Sequence, residues 1–194
     1  SDLPVCFVAT DNVAGAARGA DELAKLIGES GDVGVIPFIV GAATSQKRVQ
    51  GFHEGIANYP DIQVVFEQPC DSNVAKAMNV TEDMLSSRPN IKGIFAANEP
   101  AAIGAAQALR AAGKAGEIKL VAFDAAEQEI AALSEGVIQA LIVQNPFRMG
   151  HDGVEAAIKH LNGEEVPKRI DTGVVVVTQE NLNDPEVRKL LNPI

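Results

Sequence analysis

The chain has 194 residues, 46% of them hydrophobic and 22% charged, enough for one sizeable globular core or one domain plus part of another, and far from a disordered composition. Its 26 acidic residues outnumber 16 basic ones, and the formal charge of −10 repels nucleic acid phosphates and anionic membrane surfaces, with no local basic patch to offset it. The longest mostly apolar runs, such as residues 33–43, are too short to span a bilayer, and the first residues lack the charged, apolar and small-residue pattern of a signal peptide.

Taken in chain order, strand candidates fall at residues 5–9, 33–40, 62–66, 93–97, 118–123, 138–143 and 174–177, each a short run rich in Val and Ile. Helical patterns fill the intervals. Ala16, Ala20, Leu23 and Ile27 recur at helical spacing before Gly28, and Val49, Phe52 and Ile56 form a second stripe with Ser45 placed to cap its first turn. Ala77, Met78, Thr81, Met84 and Leu85 precede the break at Pro89, and the segment after Glu99 carries Pro100 at its start and Gly113 past its end. Ile130 and Leu133 lie before Gly136, and Val154, Ala157, Ile158 and Leu161 before Gly163. Strands apolar almost throughout and separated by helices predict an α/β fold: a doubly wound parallel sheet covered on both faces, a three-layer αβα arrangement.

Cys6 and Cys70 have neither a C-x-x-C spacing nor a neighbouring histidine cluster, so both are expected to be packing residues, with no metal and no cofactor implied. Asn79-Val80-Thr81 matches a glycosylation sequon, a pattern that arises readily by chance.

Polar residues follow nearly every strand: Thr10-Asp11-Asn12, Thr44-Ser45, Gln68 with Asp71 and Ser72, Asn98-Glu99, Asp124, and Gln144-Asn145. Carboxyl ends of parallel strands share one edge of the sheet, where doubly wound folds bind ligands. Amides, hydroxyls and a few carboxylates suit a neutral ligand rich in hydroxyls, a sugar or polyol. Asp11, Ser45 and Glu99 also stand where helix N-caps are expected. An enzyme would need a nucleophile or base on this edge, yet His53, His151 and His160 fall within helical patterns, and no G-x-S-x-G elbow, Walker loop or G-x-G-x-x-G turn follows a strand. Asp124 with Glu99 is the one acid/base pair available, and it lacks an adjacent nucleophile or metal ligands.

In their order and spacing, "VATDNVAGA" (8–16), "SQKRVQGF" (45–52), "IFAANEPAAIGAAQALRAAGK" (94–114), "KLVAFD" (119–124) and "IQALIVQNPFRMGHDGVEAAIKHLNGEEVP" (138–167) resemble the periplasmic sugar-binding proteins of the ribose-binding type. The resemblance implies a two-lobed, type I periplasmic binding fold that closes around a monosaccharide or polyol without chemistry, delivers it to the membrane permease of an ABC transporter, and is no enzyme. It places residues 11–144 in a C-terminal ligand-binding lobe. Residues 1–10 and 145–177 become elements of an N-terminal lobe otherwise absent, and residues 178–194 a tail returning to the C-terminal lobe. The sugar contacts carried over by position fall on Thr10, Ile39, Arg48, Asn98, Phe123, Asp124 and Gln144, with Phe123 as a flat face for the sugar ring. Ser72 replaces a stacking aromatic common in the family, and Glu99 replaces an aspartate. The same fold serves the effector core of lactose-repressor-like regulators, the alternative expectation. Without its other lobe the chain is expected to bind sugar weakly and, through an uncovered apolar helix stripe and the exposed edge of "VVVV" (174–177), to self-associate.

Overall fold

The structure, a computed structural model, describes residues 4–192; residues 1–3 and 193–194, at the outer ends of the expected segments 1–10 and 178–194, lie outside the described residues. Among the described residues eight strands and seven helices follow in the order β1 (Phe7–Ala9), α1 (Asn12–Leu26), β2 (Gly31–Ile36), α2 (Ala43–Ile56), β3 (Ile62–Glu67), α3 (Val74–Ser87), β4 (Ile91–Ala96), α4 (Glu99–Ala111), β5 (Lys119–Phe123), α5 (Glu127–Ser134), β6 (Ala140–Gln144), α6 (Pro146–Leu161), β7 (Arg169–Asp171), β8 (Val174–Thr178) and α7 (Pro185–Leu191), alternating except where β8 follows β7.

Six strands form one sheet in the order β3-β2-β4-β5-β6-β8. The first five run parallel, and β8 lies antiparallel on β6 with Leu141 opposite Val177. Alternation along each strand divides the core into two layers. Ile94, Leu120, Ala122 and Leu141 pack with α3, α4, α5 and α7 on one face. Phe95, Val121, Phe123 and Ile142 pack with α1 and α2 on the other. This is the doubly wound αβα arrangement expected from the sequence.

Close approach between helices explains the small residues within them. A Cβ on Gly51 of α2 would stand 2.1 Å from the carbonyl oxygen of Val13 in α1, and one on Gly104 of α4 would stand 2.4 Å from that of Val74 in α3. Neither backbone can give way without moving a helix.

Several expectations are corrected. The run at 33–40 leaves the sheet after Ile36 because Pro37 cannot donate to a ladder, and Ile39 and Val40 stand exposed in the following loop. The first strand shortens from 5–9 to Phe7–Ala9, and β7 and α7 were not expected. Ser45 is not the cap of α2. Ala42 holds that position, and the Ser45 hydroxyl accepts instead from the N–H groups of Phe38 and Ile39 at 3.3 and 3.4 Å. Glu99 gives way as cap of α4 to Asn98, whose Oδ1 accepts from Ala101 N at 3.2 Å. Asp11 caps α1 as expected, accepting from Val13 N and Ala14 N.

Strand 174–177, expected among the N-terminal-lobe elements, pairs with β6 as an edge strand of the six-stranded sheet, where Val177 joins the apolar core beside Leu141. What stands outside that sheet is a two-stranded parallel pair, Phe7–Ala9 with Arg169–Asp171, together with α6. The Asp171 carboxylate ties the two connections together, accepting from Asp11 N at 2.8 Å and Gly173 N at 2.9 Å. Those N–H groups hold its pKa below the usual carboxylate value. Cys70 lies in the core and Cys6 is half-buried, both as free thiols.

Candidate functional site

Because β2→β3 winds one way and β4→β5→β6 the other, the strand order reverses between β2 and β4, and a crevice forms at their carboxyl ends. Arg48, on the first half of α2, fills it. Its Nε donates to Asn12 Oδ1 at 2.8 Å, and its Nη1 donates to the Ala97 carbonyl at 2.7 Å and lies 3.6 Å from Asp124 Oδ2. The guanidinium carbon sits 3.9 Å from the centre of the Phe123 ring and 5.6 Å from that of Phe38. Only 6% of the residue is exposed. Burial lowers its pKa, and the Asp124 carboxylate opposes that shift, so the group stays a cation held in a largely apolar socket.

Asp124 follows β5 directly and adopts a left-handed backbone, φ 81°. That conformation is costly for most side chains and tolerated by Asp and Asn. Its Oδ1 accepts from Gln144 Nε2 at 2.6 Å, and its Oδ2 accepts from the N–H of Glu99 at 3.3 Å, the first residue of α4, where the helix dipole favours a negative charge. Asn98 spends Oδ1 on the helix cap and donates from Nδ2 to Ser72 Oγ at 2.9 Å, which leaves the second Nδ2 hydrogen. Beside Asp124 and Gln144 a cavity of about 260 Å³ opens between Val143, Pro146, Met149, Leu190 and Leu191.

Of the sequence-derived contacts, Arg48, Phe123, Asp124 and Gln144 come together in one array, and Asn98 joins it through the start of α4. Thr10 reaches it only through its backbone: Asn12 Nδ2 donates to the Thr10 carbonyl at 3.2 Å, while the buried Thr10 hydroxyl has no partner. Ile39 stands apart, 44% exposed in a shallow groove with Val49, Glu67 and Pro69. Phe123 departs from its expected role as a face for a sugar ring. It is fully buried, edge-on to Phe95, and it carries the Arg48 guanidinium instead.

Two contributors were not singled out. Asn12 follows β1 among the strand-end polar residues, but nothing in the sequence pairs it with Arg48. Glu129 sits at the third position of α5 with its whole side chain buried; Oε2 accepts from Ala126 N at 2.8 Å and Oε1 has no partner. Burial pushes its pKa up to about 8, and Asp124 and Glu99 push the same way while the Ala126 N–H and Arg48 oppose. The glutamate spaced three residues into a helix was visible; its burial was not.

The histidines lie outside the array. His53 bonds Glu67 at 2.8 Å on the outer face of α2, and His151 lies on α6 beside Asp152. The carboxylate, guanidinium and two carboxamides have all the donors and acceptors needed to hold hydroxyl groups.

Residues 1–165 match the family described as periplasmic binding protein domain. The chain belongs to that family. It is 34% identical over 176 residues to the ribose import binding protein of Salmonella typhimurium, an alignment covering 91% of this chain and 59% of the relative. It is likewise 34% identical over 163 residues to the D-allose-binding periplasmic protein of Escherichia coli, covering 83% of this chain and 52% of that one. Among solved structures, an ABC transporter solute-binding protein of Agrobacterium vitis bound with α-D-tagatopyranose superposes with a TM-score of 0.93 at 35% identity, over 97% of this chain and 63% of that one. The family resemblance drawn from the strand-end residues is therefore borne out. The chain spans about three fifths of the length of such family members.

Proposed function

We propose that this chain carries the C-terminal, ligand-binding lobe of a solute receptor that captures a monosaccharide or polyol for an ABC importer, without turnover, in the periplasm. The observation that carries this reading is the array at the carboxyl ends of β4, β5 and β6, where Asp124 accepts from Gln144 and from Glu99 N and pairs with Arg48 from α2, with Asn98 beside it as the cap of α4. Paired acceptors on Asp124 and fixed donors on Arg48 and Asn98 match vicinal hydroxyls. The named relatives, which bind ribose and allose, support a sugar over the effector of a repressor.

In this reading residues 11–144 with β8 and the tail form the lobe, and β1, β7 and α6 belong to a second lobe. Closure of the two lobes over a ligand touching both would stabilise the conformation that a membrane permease recognises. The apolar residues exposed on α6 support self-association of the chain as it stands. Thr10 and Ile39 remain proposed contacts, Thr10 through its free hydroxyl.

Titration calorimetry and thermal-shift measurements with ribose, allose, tagatose, arabinose and a polyol test the reading. Saturable binding of at least one sugar, lost in Asp124→Ala, is expected. Heat-free mixing with every member of the panel would overturn it.

A further inference from the structure

Arg48 is the most constrained side chain of the array, and what constrains it lies outside the set of proposed sugar contacts. A guanidinium offers five N–H donors in a fixed plane. Here Phe123 covers one face, and the Ala97 carbonyl and Asp124 take Nη1. Nη2 enters none of these contacts. Rotation within the guanidinium plane is stopped by the remaining bond, from Nε to Asn12 Oδ1 at 2.8 Å, and both partners are more than nine-tenths buried. Asn12 is held in turn: its Nδ2 donates to the carbonyl of Thr10, two residues back in the connection from β1 to α1.

We infer that Asn12 is a positioning residue for ligand binding, acting through Arg48: its amide oxygen fixes the guanidinium so that the Nη2 edge alone is left for a ligand oxygen. The inference rests on the proposed function for its ligand but not for its geometry. Asn12 is the first residue of α1, immediately after the segment that joins the two-stranded pair to the large sheet, so the orientation of Arg48 is tied to that connection. A carboxamide suits the position because it accepts from Arg48 and donates to Thr10 at once, which no aliphatic or carboxylate side chain does.

The test separates the two bonds. Asn12→Ala removes both, whereas Asn12→Asp keeps an acceptor for Nε and loses the donor to Thr10. Hydrogen exchange of the Arg48 Nε–H, followed by nitrogen-15 NMR on the chain without ligand, is expected to speed up at least tenfold in Asn12→Ala and to stay near the wild-type rate in Asn12→Asp. With D-ribose, D-allose and D-tagatose as probes, the sugar bound best by the wild type is expected to lose about tenfold in affinity with Asn12→Ala and to recover most of it with Asn12→Asp. In an Arg48→Lys background the alanine substitution should then cost little more.

Unchanged Nε–H exchange in Asn12→Ala would overturn the inference. So would an equal loss in Asn12→Asp, which would assign the role to the Thr10 bond, or a full additional loss in the Arg48→Lys background. If Asn12→Ala does not fold, the comparison of Asn12→Asp with wild type still decides, since retained exchange protection and affinity are required of it. Absence of binding by the wild type to any of the sugars would sink the proposed function, while the exchange measurement would still judge Asn12.

Discussion

The guanidinium carbon of Arg48 lies over the ring of Phe123, 3.9 Å from its centre, and both side chains are almost wholly enclosed. A cation over an aromatic face in a desolvated setting is attracted by about 2 kcal/mol. The aromatic residue at the end of β5 thus holds the charge that, under the proposed function, meets the ligand. Phe123→Leu keeps an apolar side chain between Gly15 and Phe95 but removes the platform. It is expected to cost about 1–3 kcal/mol in stability by urea denaturation and to shrink the sugar-induced thermal shift, because Arg48 loses one of its confining surfaces. A variant of lowered stability with an undiminished thermal shift would show that the ring does not act through Arg48.

Asp124 combines a left-handed backbone with two accepted hydrogen bonds, so its charge and its conformation can be varied separately. Asp124→Asn suits φ 81° and is expected to leave stability within about 1 kcal/mol of wild type, while Asp124→Ala adds a backbone penalty of about 1–2 kcal/mol. Both remove the carboxylate that faces Arg48 and Gln144, and both should abolish the sugar-dependent thermal shift. Retained binding in the asparagine variant would mean that hydrogen-bond geometry alone, without charge, holds the ligand.

The alternation of strands and helices was plain in the sequence because each strand is a short run of Val, Ile and Ala bounded by polar or turn residues. The edges were less so. Pro37 ends β2 inside an apolar run, and the valines of β8, expected among the N-terminal-lobe elements, pair instead with β6. The array was legible as a set of residue types after strands, which named Asn98, Asp124 and Gln144 correctly as neighbours. Two things were hidden: Phe123 turns inward, since a residue at a strand end can face either layer or the ligand edge, and Asn12 meets Arg48 across 36 positions of sequence. Contacts of that kind depend on how α1 packs on α2, which local pattern does not encode.

Glu129 gives the fold a pH dependence of definite sign. In the unfolded chain its carboxyl ionises near the ordinary value of 4.5, whereas burial in the fold raises the pKa to about 8. Below the lower value both states hold the proton and folding is unpenalised. As the pH rises between the two, only the unfolded chain releases its proton, and the fold loses about 1.4 kcal/mol per pH unit from this group, less whatever local relaxation recovers. Glu129→Gln cannot ionise and still offers an oxygen to Ala126 N. Urea denaturation at pH 5, 7 and 9 should find the two proteins close at pH 5 and the glutamine variant ahead by a few kcal/mol at pH 9. Parallel curves across the range would place an ionised, solvated carboxylate at this position.

Along α6, Phe147, Val154, Ile158 and Leu161 are each more than half exposed, and among the described residues of this helix only Ala156 is buried. An amphipathic helix normally buries its apolar stripe, and a patch of this size on a soluble chain favours association. Sedimentation velocity of the chain at micromolar concentration is expected to show dimers or larger species that dissociate on dilution. Substituting Val154, Ile158 and Leu161 together by lysine should shift the sample to monomer with little change in stability, because exposed positions of this kind change folding free energy by about 0.5 kcal/mol or less each. A wild-type chain that stays monomeric at every concentration would show that the stripe is tolerated in water. A triple variant that still associates would point instead to the unpaired edges of β1 and β7, where lysine on α6 has no influence.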